Sequence, residues 1–264
     1  MKKKRVIRLF STVFLTAFIL SIYSVAQSNV IEKPINWYCK NNKEHRQPQF
    51  SSDLSFVEEH GGVYIDKKHG DNAEEKVIYL TFDAGYENGN VEKILDVMKS
   101  EGVTGAFFVL ANLVKNNTEL VKRMAEEGHL VCNHTMNHKN MAGWSREAFE
   151  AEVIGLEELY KEKTGYDMAK FYRPPEGKFT GTELDYARSL GYTTVFWSFA
   201  YADWDNSNQM SYETAKQKVL EHTHNGEIIL LHPTSATNAR ILGDLIKAWK
   251  EQGYRFGSLD ELVK

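Results

Sequence analysis

Five short segments of the chain concentrate groups able to carry protons, bind a metal or pair with an anion. Thr81-Phe82-Asp83-Ala84-Gly85 contributes a carboxylate, and His134-Thr135-Met136-Asn137-His138 contributes two imidazoles four residues apart. Arg173-Pro174-Pro175-Glu176-Gly177 brings a guanidinium and a second carboxylate. Asp203-Trp204 sets a carboxylate beside an indole, and Leu230-Leu231-His232 closes an apolar run on an imidazole. Taken singly, each has an ordinary explanation. Asp83 would be a turn or helix-capping residue, His232 a hydrogen-bonded core histidine, and His134 and His138 a partly exposed surface pair. Histidines at i and i+4 do, however, share one side of a helical turn, which is a metal-chelating geometry. The decisive feature is that each of the five segments follows an apolar run.

Those runs read as strands: Val77–Phe82, Thr104–Leu110, Leu130–Asn133, Lys170–Arg173, Thr193–Ser198, Glu227–His232 and Tyr254–Phe256. Between them lie amphipathic stretches that predict helices over Val91–Ser100, Thr118–Glu127, Arg146–Lys163, Thr182–Leu190, Tyr212–His222 and Ala239–Gln252. Thr180 with Glu183 predicts a capping box, and Gly102, Gly128, Gly165, Gly191 and Gly253 stand where helices should stop. Strands alternating with helices mean βα units and a largely parallel sheet. An open doubly wound sheet and a closed or distorted barrel both satisfy this pattern. In either, chemistry belongs at the carboxyl ends of the strands, where the five segments stand.

Composition fixes the setting. The chain has 264 residues, 42% hydrophobic and 26% charged, which excludes a disordered or polytopic membrane protein. The first 26 residues hold five Lys/Arg and no acidic residue; the remainder carries 27 basic against 36 acidic side chains. A body this acidic offers no concentrated basic surface for a nucleic acid. Lys2, Lys3, Lys4, Arg5 and Arg8, the apolar run from Leu9 to Val25 and the small residues Ser24-Val25-Ala26 form the layout of a secretory signal peptide. The rival reading is a retained membrane anchor, since the run is nearly long enough to span a bilayer. Either places the body outside the cytoplasm. Residues 1–26 are thus read as signal, 27–75 as an irregular polar extension and 76–264 as the catalytic domain. Cys39 and Cys132 make no disulfide framework; Cys132, inside Leu130-Val131-Cys132, is expected to pack as a small buried hydrophobe.

The ordered segments resemble the polysaccharide deacetylase family, the NodB homology domain, whose pattern T-F-D-D-G, H-[ST]-x-x-H, R-x-P-x-G, D-W and L-x-H is matched in order from about Lys76 to Leu262. Within it, the run from Thr81 through Tyr86-Glu87-Asn88-Gly89, the Pro34-Ile35-Asn36-Trp37 extension and the Asn238-Ala239 segment after Pro233 look most like the delta-lactam-biosynthetic de-N-acetylases of spore-forming bacteria. The resemblance implies an α/β fold, a distorted (β/α) barrel of about seven parallel strands. It also implies one divalent metal on His134 and His138, zinc first and cobalt or nickel as further fits. Asp83 would be the general base, and a metal ligand as well if nothing replaces the missing carboxylate. Arg173 would be its orienting partner, and His232 the general acid held charged by Asp203. The Glu176 backbone N–H would donate to the oxyanion, and Leu230, Trp204 and Tyr86 would line the substrate pocket.

Two positions depart from the pattern. Ala84 stands where the family has a second, metal-binding Asp, so Glu87 or Asn88 would have to reach in, Asp83 would have to double as ligand, or the metal would be weakly held. Glu176 replaces a common aromatic and adds negative charge. The expected function is secreted de-N-acetylation of N-acetylmuramic acid in a peptidoglycan strand on the way to the muramic delta-lactam of spore cortex, with no protein partner implied. The alternatives are an N-acetylglucosamine deacetylase and a non-catalytic wall-binding relic. A lactyl carboxylate on the substrate would need a cationic contact, for which Lys178 and Arg240 are the candidates.

Overall fold

Alternation of side chains along one strand explains how the chain separates its core from its chemistry. The computed structural model describes residues 32–40 and 42–263. Its strands are β1 (Ile35–Asn36), β2 (Lys76–Ala84), β3 (Ala106–Val109), β4 (Leu130–Asn133), β5 (Ala169–Tyr172), β6 (Lys178–Phe179), β7 (Thr193–Thr194), β8 (Phe199–Ala200), β9 (Glu227–Leu231) and β10 (Tyr254–Phe256). Along β2, Ile78, Leu80, Phe82 and Ala84 belong to the apolar layer under the helices, whereas Val77 and Tyr79 join Ala106, Phe108, Cys132 and Ile228 in a second, inner cluster. A period of two therefore puts Thr81 and Asp83 in the inner row. On β9 it puts Leu230 above Ile228 in the same way.

The helices are α1 (Phe56–Glu59), α2 (Val91–Glu101), α3 (Ala111–Asn116), α4 (Thr118–Glu126), α5 (Arg146–Thr164), α6 (Gly181–Ser189), α7 (Tyr212–His222) and α8 (Ala236–Glu251). The Thr180/Glu183 capping box at the start of α6 is formed as expected. Gly102, with φ 64°, ends α2 in the left-handed region that a side chain would oppose.

The main sheet runs β7-β5-β4-β3-β2-β9-β8, with β10 paired to the start of β2, and every pairing is parallel. Its two edge strands, β7 and β8, are joined by Val195–Ser198 alone. Five Cα steps reach at most about 18 Å, whereas seven strands laid flat at roughly 4.8 Å spacing would measure about 29 Å across. The sheet must curl until its edges approach, and the outcome is the expected distorted barrel, open between β7 and β8.

Local boundaries differ from the sequence reading. The strand expected over Thr193–Ser198 leaves the sheet after Thr194, because the next residues cross the open edge, and pairing resumes in β8, which the sequence did not announce. The short α3 was likewise unanticipated. The extension is less irregular than its composition suggested. Trp37, Val57, Tyr64 and Ile65 pack with Phe179, Leu184 and Phe196, β1 pairs with β6, and Val63 bridges Val195. Residues from Pro34 onward form one compact unit. The expected signal segment lies outside the described residues, and among those described no helix is long and apolar enough to cross a membrane. Cys39 and Cys132 are both buried with no disulfide between them, and burial pushes the Cys39 thiol up to about 12.

Candidate active site

Asp83 sits near the end of β2 with its side chain 10% exposed, facing a fully buried Arg173 from the end of β5. Arg173 Nη1 donates to Asp83 Oδ1 at 2.8 Å, Nη2 to Thr81 Oγ1 at 2.9 Å and Nε to the Val195 carbonyl at 3.0 Å. Its guanidinium also lies 4.1 Å from the Phe108 ring centroid. One side chain thus ties β2 to the segment crossing the open edge, and the carboxylate is the last member of that network. Burial pushes the Asp83 carboxyl upward, but His134, Arg173 and His232 together outweigh it and hold the group below the usual carboxylate range.

His134 follows β4 and is 2% exposed. Its Nδ1 lies 2.8 Å from the Arg173 carbonyl, which can only accept, so Nδ1 carries the proton. The Nε2 lone pair is left pointing to the site, 3.4 Å from Asp83 Oδ2. Burial pushes this imidazole down to about 4, which keeps it neutral and able to donate to a metal.

The helical turn predicted for the histidine pair is absent. The stretch after His134 is a loop, with Thr135 at φ 74° and His138 at φ 54°, and these left-handed residues bring the two rings to a centroid separation of 4.9 Å. Such conformations cost free energy and persist only where neighbours fix them. Here Asn133 Oδ1 accepts from the Thr135 N–H at 2.9 Å, and Thr135 Oγ1 accepts from the His138 N–H at 3.0 Å. Glu152 of α5, 7% exposed, accepts from both the backbone and the side-chain amide of Asn137, at 2.9 and 2.7 Å. None of Asn133, Asn137 and Glu152 was identified from sequence. The available signal was a polar Asn at the end of an apolar strand, which demands partners when buried.

Across the site, His232 Nδ1 lies 2.7 Å from Asp203 Oδ1, and the His232 backbone N–H donates to Asp203 Oδ2 at 2.8 Å. Burial lowers the His232 pKa, but the hydrogen bond and charge of Asp203, with Asp83 adding to them, win and raise it above the ordinary value. Asp203 thereby favours the protonated imidazole, whose Nε2–H can be given away.

The rim residues are placed less uniformly. Leu230 is buried in the inner row, whereas Trp204, next to Asp203, is 63% exposed. The exposed Tyr86 accepts from Asn206 Nδ2 at 2.7 Å, joining the loop after β2 to the loop after β8. Glu176, left-handed at φ 58°, carries a carboxylate 2.5 Å from Lys178 Nζ. That bond lowers its pKa and answers the charge added by replacing an aromatic. Lys178 is accordingly engaged by Glu176, and Arg240 stacks on Tyr212 at 5.5 Å.

The residues suggested as replacements for the missing Asp do not serve. Glu87 accepts from the Gly89 and Val91 N–H groups at 2.6 and 3.0 Å, capping α2, and Asn88 donates to the Thr234 carbonyl at 2.9 Å. Ala84 is buried in the outer apolar layer. Among the described residues no group of three or more His, Cys, Asp or Glu stands ready to hold a metal. The donors that fit one are the two imidazoles, with Asp83 the nearest carboxylate.

Comparison with known proteins agrees with this geometry. Residues 70–195 match the family described as polysaccharide deacetylase. The chain is 39% identical over 249 residues to the peptidoglycan-N-acetylmuramic acid deacetylase PdaA of Bacillus subtilis, covering 94% of this chain and 93% of that one. The solved structure of that protein, a family 4 carbohydrate esterase, superposes with a TM-score of 0.82 over 88% of this chain and 97% of the other. A peptidoglycan-N-acetylglucosamine deacetylase of Bacillus cereus is 32% identical over 191 residues, 71% of this chain and 68% of its own. Deacetylases of this family are in general metalloenzymes. The chain therefore belongs to the polysaccharide deacetylase family, as a hydrolase acting on N-acetyl amide bonds.

Proposed function

We propose that this protein is an extracytoplasmic, metal-dependent peptidoglycan deacetylase that removes the acetyl group from N-acetylmuramic acid, on the way to muramic delta-lactam in spore cortex. The observation that carries the reading is the pairing of opposites at the carboxyl ends of the strands: a carboxylate held ionised with Arg173 beside it, an imidazole whose protonated form Asp203 favours, and the His134 and His138 rings beside them. The 39% identity to a muramic acid deacetylase over nearly the whole chain supports the substrate.

An acetamide is a poor electrophile, so its hydrolysis needs an activated water, a stabilised oxyanion and a protonated leaving amine. When bound at His134 and His138, a divalent ion such as zinc, cobalt or nickel supplies charge that polarises the acetyl oxygen and acidifies water. Asp83, ionised and anchored by Arg173, takes the proton from water as it attacks. The backbone N–H of Glu176 is assigned as a donor to the developing oxyanion. His232 then gives its Nε2 proton to the sugar nitrogen as the C–N bond breaks, with Asp203 stabilising the cation beforehand. Leu230 borders the acetyl methyl.

Mass spectrometry of muropeptide digests tests the reading. Purified protein should remove acetyl from muramic acid in peptide-stripped strands, read as the mass loss of one acetyl-for-hydrogen exchange per residue. Equal reaction of peptide-stripped strands, intact peptidoglycan and chitin oligomers would replace the muramic assignment with a general N-acetylhexosamine deacetylase. No reaction on any of them, with metal present, would favour a wall-binding relic.

The metal itself should be held loosely. Two imidazole ligands, which bring no negative charge, compensate little of a divalent charge without the family's second carboxylate. Calorimetric titration should find that a chelator strips the wild type readily, and that His138→Ala leaves no measurable binding. Metal retained through prolonged chelation would show that a further ligand completes the site.

A further inference from the structure

Asn238, in the first turn of α8, is fully buried and touches both members of the His232–Asp203 pair. Its Nδ2 donates to Asp203 Oδ2 at 2.5 Å and to the His232 carbonyl at 3.1 Å. Its Oδ1 accepts the hydroxyl hydrogen of the buried Tyr201. Its backbone N–H donates to Ser235 Oγ at 3.1 Å, the N-cap of the helix. Both side-chain polar atoms and the backbone N–H are thus committed. The two other bonds to the Asp203 carboxylate both come from His232, one from the ring and one from the backbone N–H just beyond β9. Asn238 supplies a separate anchor, from α8. Tyr201 fixes which way the amide faces: a flipped amide would set Oδ1 against the carboxylate and leave the hydroxyl without an acceptor.

We propose that Asn238, oriented by Tyr201, is the positioning residue for the general acid, locking the Asp203–His232 pair to α8 so that His232 Nε2 faces the leaving nitrogen. The proposal rests on the assignment of His232 as the acid under Proposed function. The terminal torsion of an Asp side chain is soft, and Asp203 is only 1% exposed, so water cannot replace a lost anchor. Without Asn238 the carboxylate keeps its bonds to His232 and loses the one that fixes its second oxygen to α8. Misplacement of a catalytic group by about 1 Å is enough to slow turnover roughly 10- to 100-fold.

The test uses the metal-loaded full protein on peptide-stripped peptidoglycan strands, with Asn238→Leu and the milder Tyr201→Phe, which removes one oxygen and keeps the ring. Both variants should lower kcat, Asn238→Leu roughly 10- to 100-fold and Tyr201→Phe less, with KM unchanged. Proton NMR of the protein alone gives an independent signature. The downfield Nδ1–H resonance of His232, assigned by its loss in Asp203→Asn, should shift or broaden in both variants. A raised KM with intact kcat, or an unmoved resonance with wild-type kcat in either folded variant, would overturn the proposal. A resonance that moves in both variants of a protein inactive on every glycan would keep the positioning role and reject the assigned reaction.

Discussion

Asp83→Asn will lose most turnover, by roughly two to four orders of magnitude, the range typical of a general base. The substitution keeps volume and leaves an oxygen for Arg173 Nη1, so the bond now measured at 2.8 Å has an acceptor. What disappears is the ability to take a proton. Steady-state rates across pH check this, because the wild-type profile should be bell-shaped. Asp83 is held below the ordinary carboxylate range, so the acid limb lies below about pH 4. His232 is raised, so its acid form persists above the ordinary value near 6.5 and the alkaline limb lies on the high side of it. Asp203→Asn should draw that limb to lower pH, since the group that raises His232 is gone. Stability follows the same sign. A depressed folded pKa adds stability above the unfolded carboxylate value near 4, and that contribution is lost as pH falls through the folded value. Acid melts of Asp83→Asn should lack this component. Near-normal turnover in the variant would remove Asp83 from the base role.

Arg173→Met will be the most destabilising change in the site. It deletes bonds to Asp83, Thr81 and the Val195 and Phe196 carbonyls and leaves a carboxylate that is 10% exposed without its cation. Breaking a buried pair from one side costs about 3–5 kcal/mol, which for a domain of this size is a fall in Tm on the order of 10 °C. The double variant Arg173→Met/Asp83→Asn should recover part of that loss, because the stranded charge goes with its partner, while activity stays absent. Calorimetric melts of the four proteins give the coupling directly. Additive losses would mean that Arg173 acts through the crossing segment alone and not through Asp83.

The candidate site was legible in the sequence because strand ends and motif types are local. Period-two alternation put Asp83 and Leu230 on the inner face, and Gly102 and the Thr180/Glu183 box announced helix boundaries. The five segments, their order and their convergence followed from parallel βα topology, since every parallel strand points its carboxyl end the same way. Other features depend on contacts between residues far apart in the chain. Spacing alone suggested a helical turn for His134 and His138, but Glu152 and Asn133 stabilise a left-handed loop that no local propensity favours. Thr193–Ser198 has the composition of one strand, yet Arg173, from a different strand, takes the carbonyls of Val195 and Phe196. The chain then crosses the open edge and begins β8. The fate of Glu87 and Asn88, and the anchoring of Asp203 by Asn238, belong to the same class. The sequence by itself determined which polar residues follow the strands and which end of the sheet they occupy, because side-chain periodicity and strand direction are properties of short segments. Only the tertiary structure decided how those groups are held and charged, because burial and hydrogen-bond partners arise where distant segments meet.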